Sequence, residues 1–263
     1  MNKENLIAFY EADLARYGPE DARSLHWTSA RTQRTRFEVL YDVGPWEGVS
    51  VADIGSGLGD FAAFLASKGH RVRPGPGPGF TAESAKIAEK ENFNKISAAS
   101  AASAVNQGGG VVWYNGYDIS AAMVKAARQK HPNASFHLRD ILTEGFIAPA
   151  DYIIASGTFN IRIEDHDRWF RAMLATMYGA CRRAVAFNFL DLPPDFSKYG
   201  PQGAGGTRDQ RLETKDSVLA AWHSLYYEVD PDEVLEYCRT LSPNVSTRTG
   251  YLPGDYTVYM YRD

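Results

Sequence analysis

Short apolar runs alternate with amphipathic stretches along most of the chain. The apolar runs predict strands, and apolar residues spaced by three and four positions predict helices between them. Strands are predicted at 49–54, 111–117, 135–138, 152–156 and 184–190, and helices at 2–18, 28–42, 60–68, 121–130, 167–178 and 231–240. Strands that alternate with helices form parallel sheets covered on both faces. The last two strands, 245–251 and 256–261, follow each other directly, so they can pair antiparallel at the sheet edge. The pattern predicts an α/β fold with a seven-stranded, mostly parallel sheet and an antiparallel C-terminal edge pair.

Two segments interrupt this alternation. Residues 191–216 are rich in proline and glycine and predict a long loop, where lids and binding loops are common. Residues 74–110 contain three lysines and no arginine, whereas the other 226 residues contain six lysines and 19 arginines. Glycine-rich stretches border this segment on both sides, which predicts an insertion, with a native surface extension as the alternative. We expect one domain over 1–263, with a helical cap at 1–47 and the insertion at 74–110.

The composition narrows the range of partners. With 44% hydrophobic residues and a net charge of −4, the chain gives no electrostatic reason to bind nucleic acid or a membrane surface. No apolar run reaches the ~20 residues that a membrane span needs, and the charged N-terminus is unlike a signal peptide. Cys181 and Cys238 lack a paired spacing, which is typical of buried thiols in a reducing compartment. These features predict a cytoplasmic protein.

A glycine-rich turn follows the first predicted strand. Asp53 lies inside the strand, and Gly55, Gly57 and Gly59 come next at alternate positions, with Ser56 between the first two. Glycines here let the backbone turn sharply and approach a ligand, and the helix that follows directs its N–H groups to the same place. A dinucleotide-binding turn has the spacing G-x-G-x-x-G, which would need a glycine at position 60. Aspartate occupies that position.

The second predicted strand ends in Asp118 and Ile119. An acidic side chain at this strand end can accept hydrogen bonds from both ribose hydroxyls of a nucleoside, and it normally follows the glycine turn by about 20 residues. Gly59 and Asp118 are 59 positions apart, or 22 once the 37 residues of the predicted insertion are left out. The spacing therefore supports both the ribose role of Asp118 and the insertion. The alternative role for Asp118 is that of a helix N-cap.

The turn, the acidic strand end and the antiparallel final pair together resemble the class I S-adenosylmethionine-dependent methyltransferases, small-molecule type-11/12-like group, which have a Rossmann-like sheet. The resemblance covers roughly residues 25–263 apart from the insertion. It implies S-adenosylmethionine as cofactor, with Asp140 on the adenine amino group and Ile141 packed on the ring; the alternative for Asp140 is an ordinary polar residue at a strand end. It also places Ser156 at the motif IV strand end and offers Arg36 or Arg31 for the cofactor's carboxylate, a suitable partner for a guanidinium. An exposed helix face is the alternative for either arginine.

The acceptor is less well defined. The stretch 155–160 lacks the [DN]-P-P-[YF] pattern of enzymes that methylate nucleic-acid bases or glutamine, so we expect methyl transfer to oxygen or nitrogen of a small molecule. His166 is a weak candidate for a general base; the alternative is an exposed histidine at a helix N-terminus. Trp222, Tyr226 and Tyr227 can either line an acceptor pocket or pack in the core. No metal-ligand spacing is present.

Two other functions stay open at this point. One is a nicotinamide-dependent oxidoreductase, because a glycine-rich turn alone is shared by both cofactor classes. The other is a non-catalytic cofactor-binding module of the same fold. The missing dinucleotide glycine and the antiparallel chain end favour the methyltransferase.

Overall fold

The computed structural model describes residues 1–75, 77, 110–191 and 225–263. Most of the predicted insertion, the 191–216 loop beyond Asp191, and Trp222 lie outside these ranges. The helices are α1 Lys3–Tyr17, α2 Ala30–Tyr41, α3 Asp60–Ser67, α4 Ala121–Lys130, α5 Ile141–Glu144, α6 His166–Ala180 and α7 Pro231–Leu241, with a 3-10 turn at Ala22–Leu25. The strands are β1 Val49–Ile54, β2 Arg71–Pro74, β3 Val111–Asp118, β4 Ser135–Leu138, β5 Ala150–Ala155, β6 Cys181–Leu190, β7 Asn244–Thr249 and β8 Asp255–Tyr261.

All eight described strands form one sheet. Its order is β2-β3-β1-β5-β6-β8-β7, and β4 also pairs with β3. Every pairing is parallel except those of β8, which runs antiparallel to both β6 and β7. The predicted mostly parallel α/β sheet with an antiparallel C-terminal edge pair is confirmed, but it has eight strands rather than seven. The additional strand is β2, whose short sequence Arg-Val-Arg-Pro carries too few apolar positions to signal a strand.

The sheet is covered on both faces, as the apolar runs predicted. Successive side chains of a strand point to opposite faces, and in β1 Val49 and Val51 pack in one core cluster whereas Ala52 and Ile54 pack in the other. The first cluster is completed by α2, α3 and α4, and the second by α6 and α7. Strands buried on both faces need continuous apolar sequence, which explains why β1, β5 and most of β6 could be predicted closely.

Strand β2 occupies an unusual position. It pairs with the first half of β3, where Arg71 lies beside Val111, and β4 pairs with the second half. Both strands therefore lie on the same side of β3. Because β2 and β3 are parallel and in this register, the chain before Arg71 already reaches the level at which β3 begins.

The N-terminal segment packs over the carboxyl ends of the parallel strands. Two polar contacts connect α1 to loops at these ends: Ser120 Oγ donates a hydrogen bond to Glu11 Oε1 (2.7 Å), and Lys3 Nζ lies 3.0 Å from Asp140 Oδ2. Within the described ranges, no helix is both long and apolar enough to cross a membrane.

Candidate active site

A cavity of about 390 Å³ lies between the strand ends and the N-terminal segment, and we call it the strand-end cavity. Loops after β1, β3, β4 and β5 form one side, and α1, the 3-10 turn and α2 form the other. All but one of the predicted cofactor residues belong to its wall: Arg36, Asp53, Gly55, Ser56, Gly57, Asp118, Ile119, Asp140, Ile141 and Ser156. Positions far apart in sequence thus meet around one space, as a shared ligand would require.

The glycine turn has the backbone conformation that its sequence predicted. Gly55, Gly57 and Gly59 have φ angles of +66°, +50° and +78°, a region that other residues rarely adopt. A Cβ on Gly55 would lie 2.6 Å from Thr158 Oγ1, and one on Gly57 would lie 2.9 Å from Leu25. Gly59 is not on the wall; it is the N-cap of α3. The first two glycines shape the cavity, and the third starts the helix.

Asp118 joins the glycine turn to the end of β3. Its Oδ2 accepts a hydrogen bond from the Gly57 amide (2.9 Å), and its Oδ1 accepts one from the Ser120 amide (2.9 Å). Burial raises the pKa of this carboxyl, while the backbone amides act in the opposite direction. The N-cap of α4 is Ser120, whose side chain accepts from the Met123 amide. The alternative N-cap role for Asp118 is therefore wrong.

Asp53 is the most deeply buried acid of the wall. Its carboxyl accepts a hydrogen bond from the Tyr114 hydroxyl. The pKa of Asp53 is raised to about 7, mainly by burial and also by nearby Asp118 and Asp60, while the Tyr114 hydrogen bond opposes the shift. Asp53 therefore keeps its proton into the neutral range, which limits the negative charge beneath the turn.

Asp140 lies at the end of β4 and already has two partners. Its Oδ1 accepts from the Leu142 amide (3.0 Å), which caps α5, and its Oδ2 faces Lys3 of α1. The neighbouring Ile141 is buried. Contact of Asp140 with an adenine amino group stays a prediction, and Lys3 would share the carboxylate with it.

Of the two predicted arginines, only Arg36 reaches the wall. Its Nε lies 2.6 Å from Asp255 Oδ1, and its guanidinium lies 4.8 Å from the ring centre of Trp27. Arg31 is exposed and is not part of the wall. Arg36 can meet a carboxylate with the remainder of its guanidinium, although Asp255 offsets part of its charge.

Several polar atoms of the wall have no hydrogen-bond partner within the described part of the chain. Three of them are the buried atoms Ser56 Oγ, Ser156 Oγ and Asn160 Oδ1, and two more are Arg36 Nε and His26 Nε2, which lie at ion-pair distance from Asp255 and Asp13 without an aligned hydrogen bond. Buried polar atoms are normally hydrogen-bonded. The adjoining backbone is held firmly, because the Gly157 amide donates to Asn188 Oδ1 (2.7 Å) and the Thr158 hydroxyl donates to the Ile54 carbonyl (2.7 Å). These atoms are suited to hydrogen-bond a polar ligand.

His166 does not reach the strand-end cavity. The expectation of an exposed histidine at this helix start is wrong, since His166 is only 4% exposed. Its ring stacks on Tyr227 at 3.7 Å, and its Nδ1 accepts a weak hydrogen bond from the Ile163 amide. Burial lowers the pKa of His166 to about 4. A catalytic role for His166 has no support in this position. Of the predicted aromatic residues, Tyr226 is on the wall and Tyr227 is not.

The sequence reasoning missed the residues that the N-terminal segment contributes to the wall. They include Lys3, Leu6, Ile7, Tyr10 and His26. The first four recur at helical spacing on one face of α1, which in the sequence is indistinguishable from an ordinary core-facing stripe. His26 directly precedes Trp27, but nothing in the neighbouring sequence indicates that either residue lines a cavity. Within the described ranges, no cluster of three potential metal ligands occurs.

Comparison with known proteins finds one curated relative and many solved structures of similar fold. No protein-family model matches the chain. A curated protein of Mycobacterium tuberculosis (strain ATCC 25618 / H37Rv), named "Putative methyltransferase Rv1506c", is 37% identical over 92 residues, covering 32% of this chain and 53% of that protein. The chain therefore spans about half the length of the curated relative that it matches.

Solved structures match over most of the chain. The DhpI–SAH complex has a TM-score of 0.55 at 15% identity, covering 98% of this chain and 95% of that one. Magnesium protoporphyrin IX methyltransferase from Synechocystis PCC 6803 with bound SAH has a TM-score of 0.50 at 14% identity, covering 88% and 83% of the two chains. At these identities the likeness shows the fold: a Rossmann-like α/β sheet of the methyltransferase type.

Proposed function

We propose that this protein is an S-adenosylmethionine-dependent methyltransferase that acts on an oxygen or nitrogen atom of a small molecule. The observation that carries the proposal is the strand-end cavity, whose wall combines the Gly55–Gly57 turn, Asp118 and Asp140. A nucleoside needs such a set: a turn without Cβ atoms for close approach and a carboxylate for the ribose hydroxyls. The Gly57 amide positions Asp118 for that role.

The residues present fit the cofactor that the fold implies. Asp118 would hold the ribose hydroxyls, Ile119 and Ile141 would pack against the adenine ring, and Arg36 would face the amino-acid carboxylate. Ser56 and Ser156 supply hydroxyls that have no partner within the described part of the chain. When bound, S-adenosylmethionine supplies a methyl group on a positively charged sulfur. The protein's contribution is to bind and orient both reactants and to exclude water.

The cavity dimensions favour a small acceptor. A volume of about 390 Å³ is within the range of small-molecule pockets. Helix α1 and the 3-10 turn cover the cavity, so an acceptor must fit beneath them. Aromatic and apolar side chains form the remaining wall: Trp27, Ile161, Ile163, Trp169 and Met173.

Ligand binding separates this proposal from a nicotinamide-dependent oxidoreductase. The purified protein is titrated in a calorimeter with S-adenosylhomocysteine, and in parallel with NAD⁺ and NADP⁺. We expect saturable binding of S-adenosylhomocysteine alone. Binding of a nicotinamide dinucleotide in its place would overturn the proposal.

Catalysis is tested separately from binding. The protein is incubated with S-adenosylmethionine that carries a labelled methyl group and with mixtures of small hydroxyl and amine compounds. Transfer of label to any of them identifies an enzyme and its acceptor class. Tight S-adenosylhomocysteine binding with no transfer to any acceptor would favour a non-catalytic binding module. We also propose a cytoplasmic location, supported by the two free, buried cysteines, because free thiols persist in reducing compartments.

A further inference from the structure

One histidine on the wall of the strand-end cavity is paired with an aspartate. His26 is the only wall histidine among the described residues, and its Nε2 lies 2.5 Å from Asp13 Oδ2. Both side chains keep about a fifth of their surface exposed, 22% for His26 and 19% for Asp13. Asp13 comes from α1, and His26 directly follows the 3-10 turn. The N-terminal segment thus brings a carboxylate and an imidazole together at the cavity.

The backbone of His26 is held in a strained conformation. Its φ of 58° is in the left-handed region, which among the described non-glycine residues only Asp165 shares. Such strain persists only where the surroundings fix it, and it is frequent at functional sites. Here the His26 amide donates to the Arg23 carbonyl (3.1 Å), and the ring stacks on Phe9 with 4.3 Å between centroids. The imidazole is therefore fixed in position and orientation.

The pairing determines which ring nitrogen can act. Nε2 lies beside Asp13 Oδ2 at ion-pair distance without an aligned hydrogen bond. A proton on Nε2 is the tautomer that this carboxylate favours, and it leaves the Nδ1 lone pair free. Nδ1 has no protein partner within the described part of the chain. Burial lowers the pKa of His26, and Asp13 opposes that shift. The other titratable groups around the pair are Tyr10 and Tyr226, and burial raises the pKa of both, so they are neutral near pH 7.

We propose that the Asp13–His26 pair is the general base of the methyl transfer, with His26 as the catalytic residue and Asp13 as its positioning residue. The proposal rests on the proposed function. His26 Nδ1 takes the proton from the acceptor's O–H as the oxygen forms its bond to the methyl carbon. The carbon–sulfur bond breaks with its electron pair on sulfur, and the imidazolium, stabilised by Asp13, then releases the proton to solvent.

The base points to a hydroxyl acceptor, and to a phenolic rather than an aliphatic one. A general base is most effective when the acid that it deprotonates has a pKa close to its own. A phenol has a pKa of about 10, much nearer to that of an imidazole than an aliphatic alcohol. The aromatic wall residues Trp27, Trp169 and Tyr226 provide flat apolar surfaces on which a phenol ring can pack.

The first test measures the state of His26 without any acceptor. Protein labelled with ¹⁵N-histidine is examined by NMR across pH 5–9, with and without S-adenosylhomocysteine. We expect a neutral His26 at pH 7.5 that is protonated on Nε2 and not on Nδ1, and whose signal shifts when S-adenosylhomocysteine binds. A proton on Nδ1 at pH 7.5, or no response to bound S-adenosylhomocysteine, would overturn the proposal. Failure of the protein to bind S-adenosylhomocysteine would instead refute the proposed function.

The variants are chosen to keep the fold. Asparagine tolerates the left-handed region better than most residues, so His26→Asn removes the base without adding backbone strain. Asp13→Asn removes the carboxylate that fixes the proton on Nε2. Asp21→Asn is the matched control, because Asp21 belongs to the same segment but pairs with Arg23 at the surface (2.6 Å), and asparagine can still cap the 3-10 turn. In the NMR experiment, Asp13→Asn should weaken the Nε2–H preference and Asp21→Asn should not.

The second test follows methylation of catechol as a phenolic probe. Positioned general bases contribute about 10²- to 10⁴-fold, so His26→Asn should lower kcat within that range and leave S-adenosylhomocysteine affinity unchanged. Asp13→Asn should cause a smaller loss and shift the acidic limb of the kcat–pH profile, an effect that a purely structural defect would not produce. Unchanged kcat in His26→Asn would refute the base. If the wild type does not methylate catechol but transfers methyl groups to amines, the phenolic assignment is wrong.

Discussion

Replacing Asp118 by asparagine tests the cofactor site most directly. A carboxylate offers about four acceptor positions, and the Gly57 and Ser120 amides use two of them. The other two remain for a pair of ribose hydroxyls. Asparagine keeps one oxygen and presents two N–H donors in place of the other. It therefore cannot accept from the backbone amides and from both hydroxyls at once.

The magnitude follows from the bonds that are lost. Hydrogen bonds to a charged group are worth about 1.5–3 kcal/mol each, and asparagine removes at least one of them from the ligand. With about 1.4 kcal/mol per tenfold change, the dissociation constant for S-adenosylhomocysteine should rise about 10- to 150-fold. We expect only a small loss of stability, because one backbone amide can still bond to the remaining oxygen.

Calorimetric titration with S-adenosylhomocysteine measures this effect, and Asp151→Asn serves as the control. The Asp151 carboxylate likewise accepts from a backbone amide, that of Ser50 (2.8 Å), but it lies at the amino ends of β1 and β5, far from the cavity. Its substitution should leave the affinity unchanged. Equal affinity of the wild type and Asp118→Asn, with both folded by circular dichroism, would place the ribose elsewhere and refute the reasoning.

Three further predictions concern the turn, the core and the insertion. Gly57→Ala introduces a Cβ into a left-handed residue and against Leu25; the strain of about 1–2 kcal/mol should lower the free energy of unfolding in urea and weaken S-adenosylhomocysteine binding. The pKa of buried His166 is about 4, below its unfolded value of about 6.5. Between these two pH values the unfolded state binds an additional proton, so the free energy of unfolding decreases as the pH is lowered. When the pH is lowered from 7.5 to 5, the free energy of unfolding in urea should decrease by about 2 kcal/mol less in His166→Gln than in the wild type. The same pH dependence in both proteins would contradict this. Deletion of residues 71–110 should preserve folding and S-adenosylhomocysteine binding, whereas deletion of 74–110 should impair folding, as judged by melting temperature.

The two deletions differ because of the register of β2. Parallel pairing places Arg71 beside Val111 and Pro74 beside Tyr114. If residues 74–110 are removed, Arg73 is joined to Val111 although it lies beside Trp113, so the chain has to reach back two residues, roughly 7 Å at ~3.3 Å per residue, and also cross to the neighbouring strand. If β2 is removed as well, His70 lies within a few ångströms of Val111. The composition shift in the sequence begins at residue 74, and the register of β2 predicts that β2 belongs to the insertion as well.

Most of the sheet could be predicted because most of its strands are apolar runs that can be recognised in the sequence. β1 and β4 were predicted to the residue, and β3, β5 and β6 within a few residues. For β1, β3, β5 and most of β6 the reason is burial on both faces, which requires continuously apolar sequence. The missed elements are β2, α5 and the 3-10 turn, each four residues long. Elements of this length contain about one structural period, so neither hydrophobic alternation nor helical spacing can be detected in them. Such short elements are stabilised by their neighbours in the fold, as β2 is by its pairing with β3.

The candidate site could be predicted only where backbone geometry dictates residue type. A turn in the left-handed region requires glycine, so Gly55 and Gly57 can be recognised in the sequence. A strand end beside that turn requires a side chain that accepts hydrogen bonds from the turn's amides, so Asp118 can be recognised as well. No sequence pattern identifies the wall residues of the N-terminal segment, because their role depends on how α1 packs over the sheet.

The two histidines show the difference most clearly. His166 has three acidic neighbours in sequence, Glu164, Asp165 and Asp167. In the structure, however, its ring is buried against Tyr227 at the start of α6, outside the cavity. His26 has no acid within four residues, and its partner Asp13 is 13 positions away on another helix. A base needs a ligand-facing nitrogen and a partner on the opposite nitrogen, and both are properties of the tertiary structure. Sequence proximity of acids to a histidine therefore favours a residue outside the cavity, whereas the proposed base, His26, lies on the cavity wall.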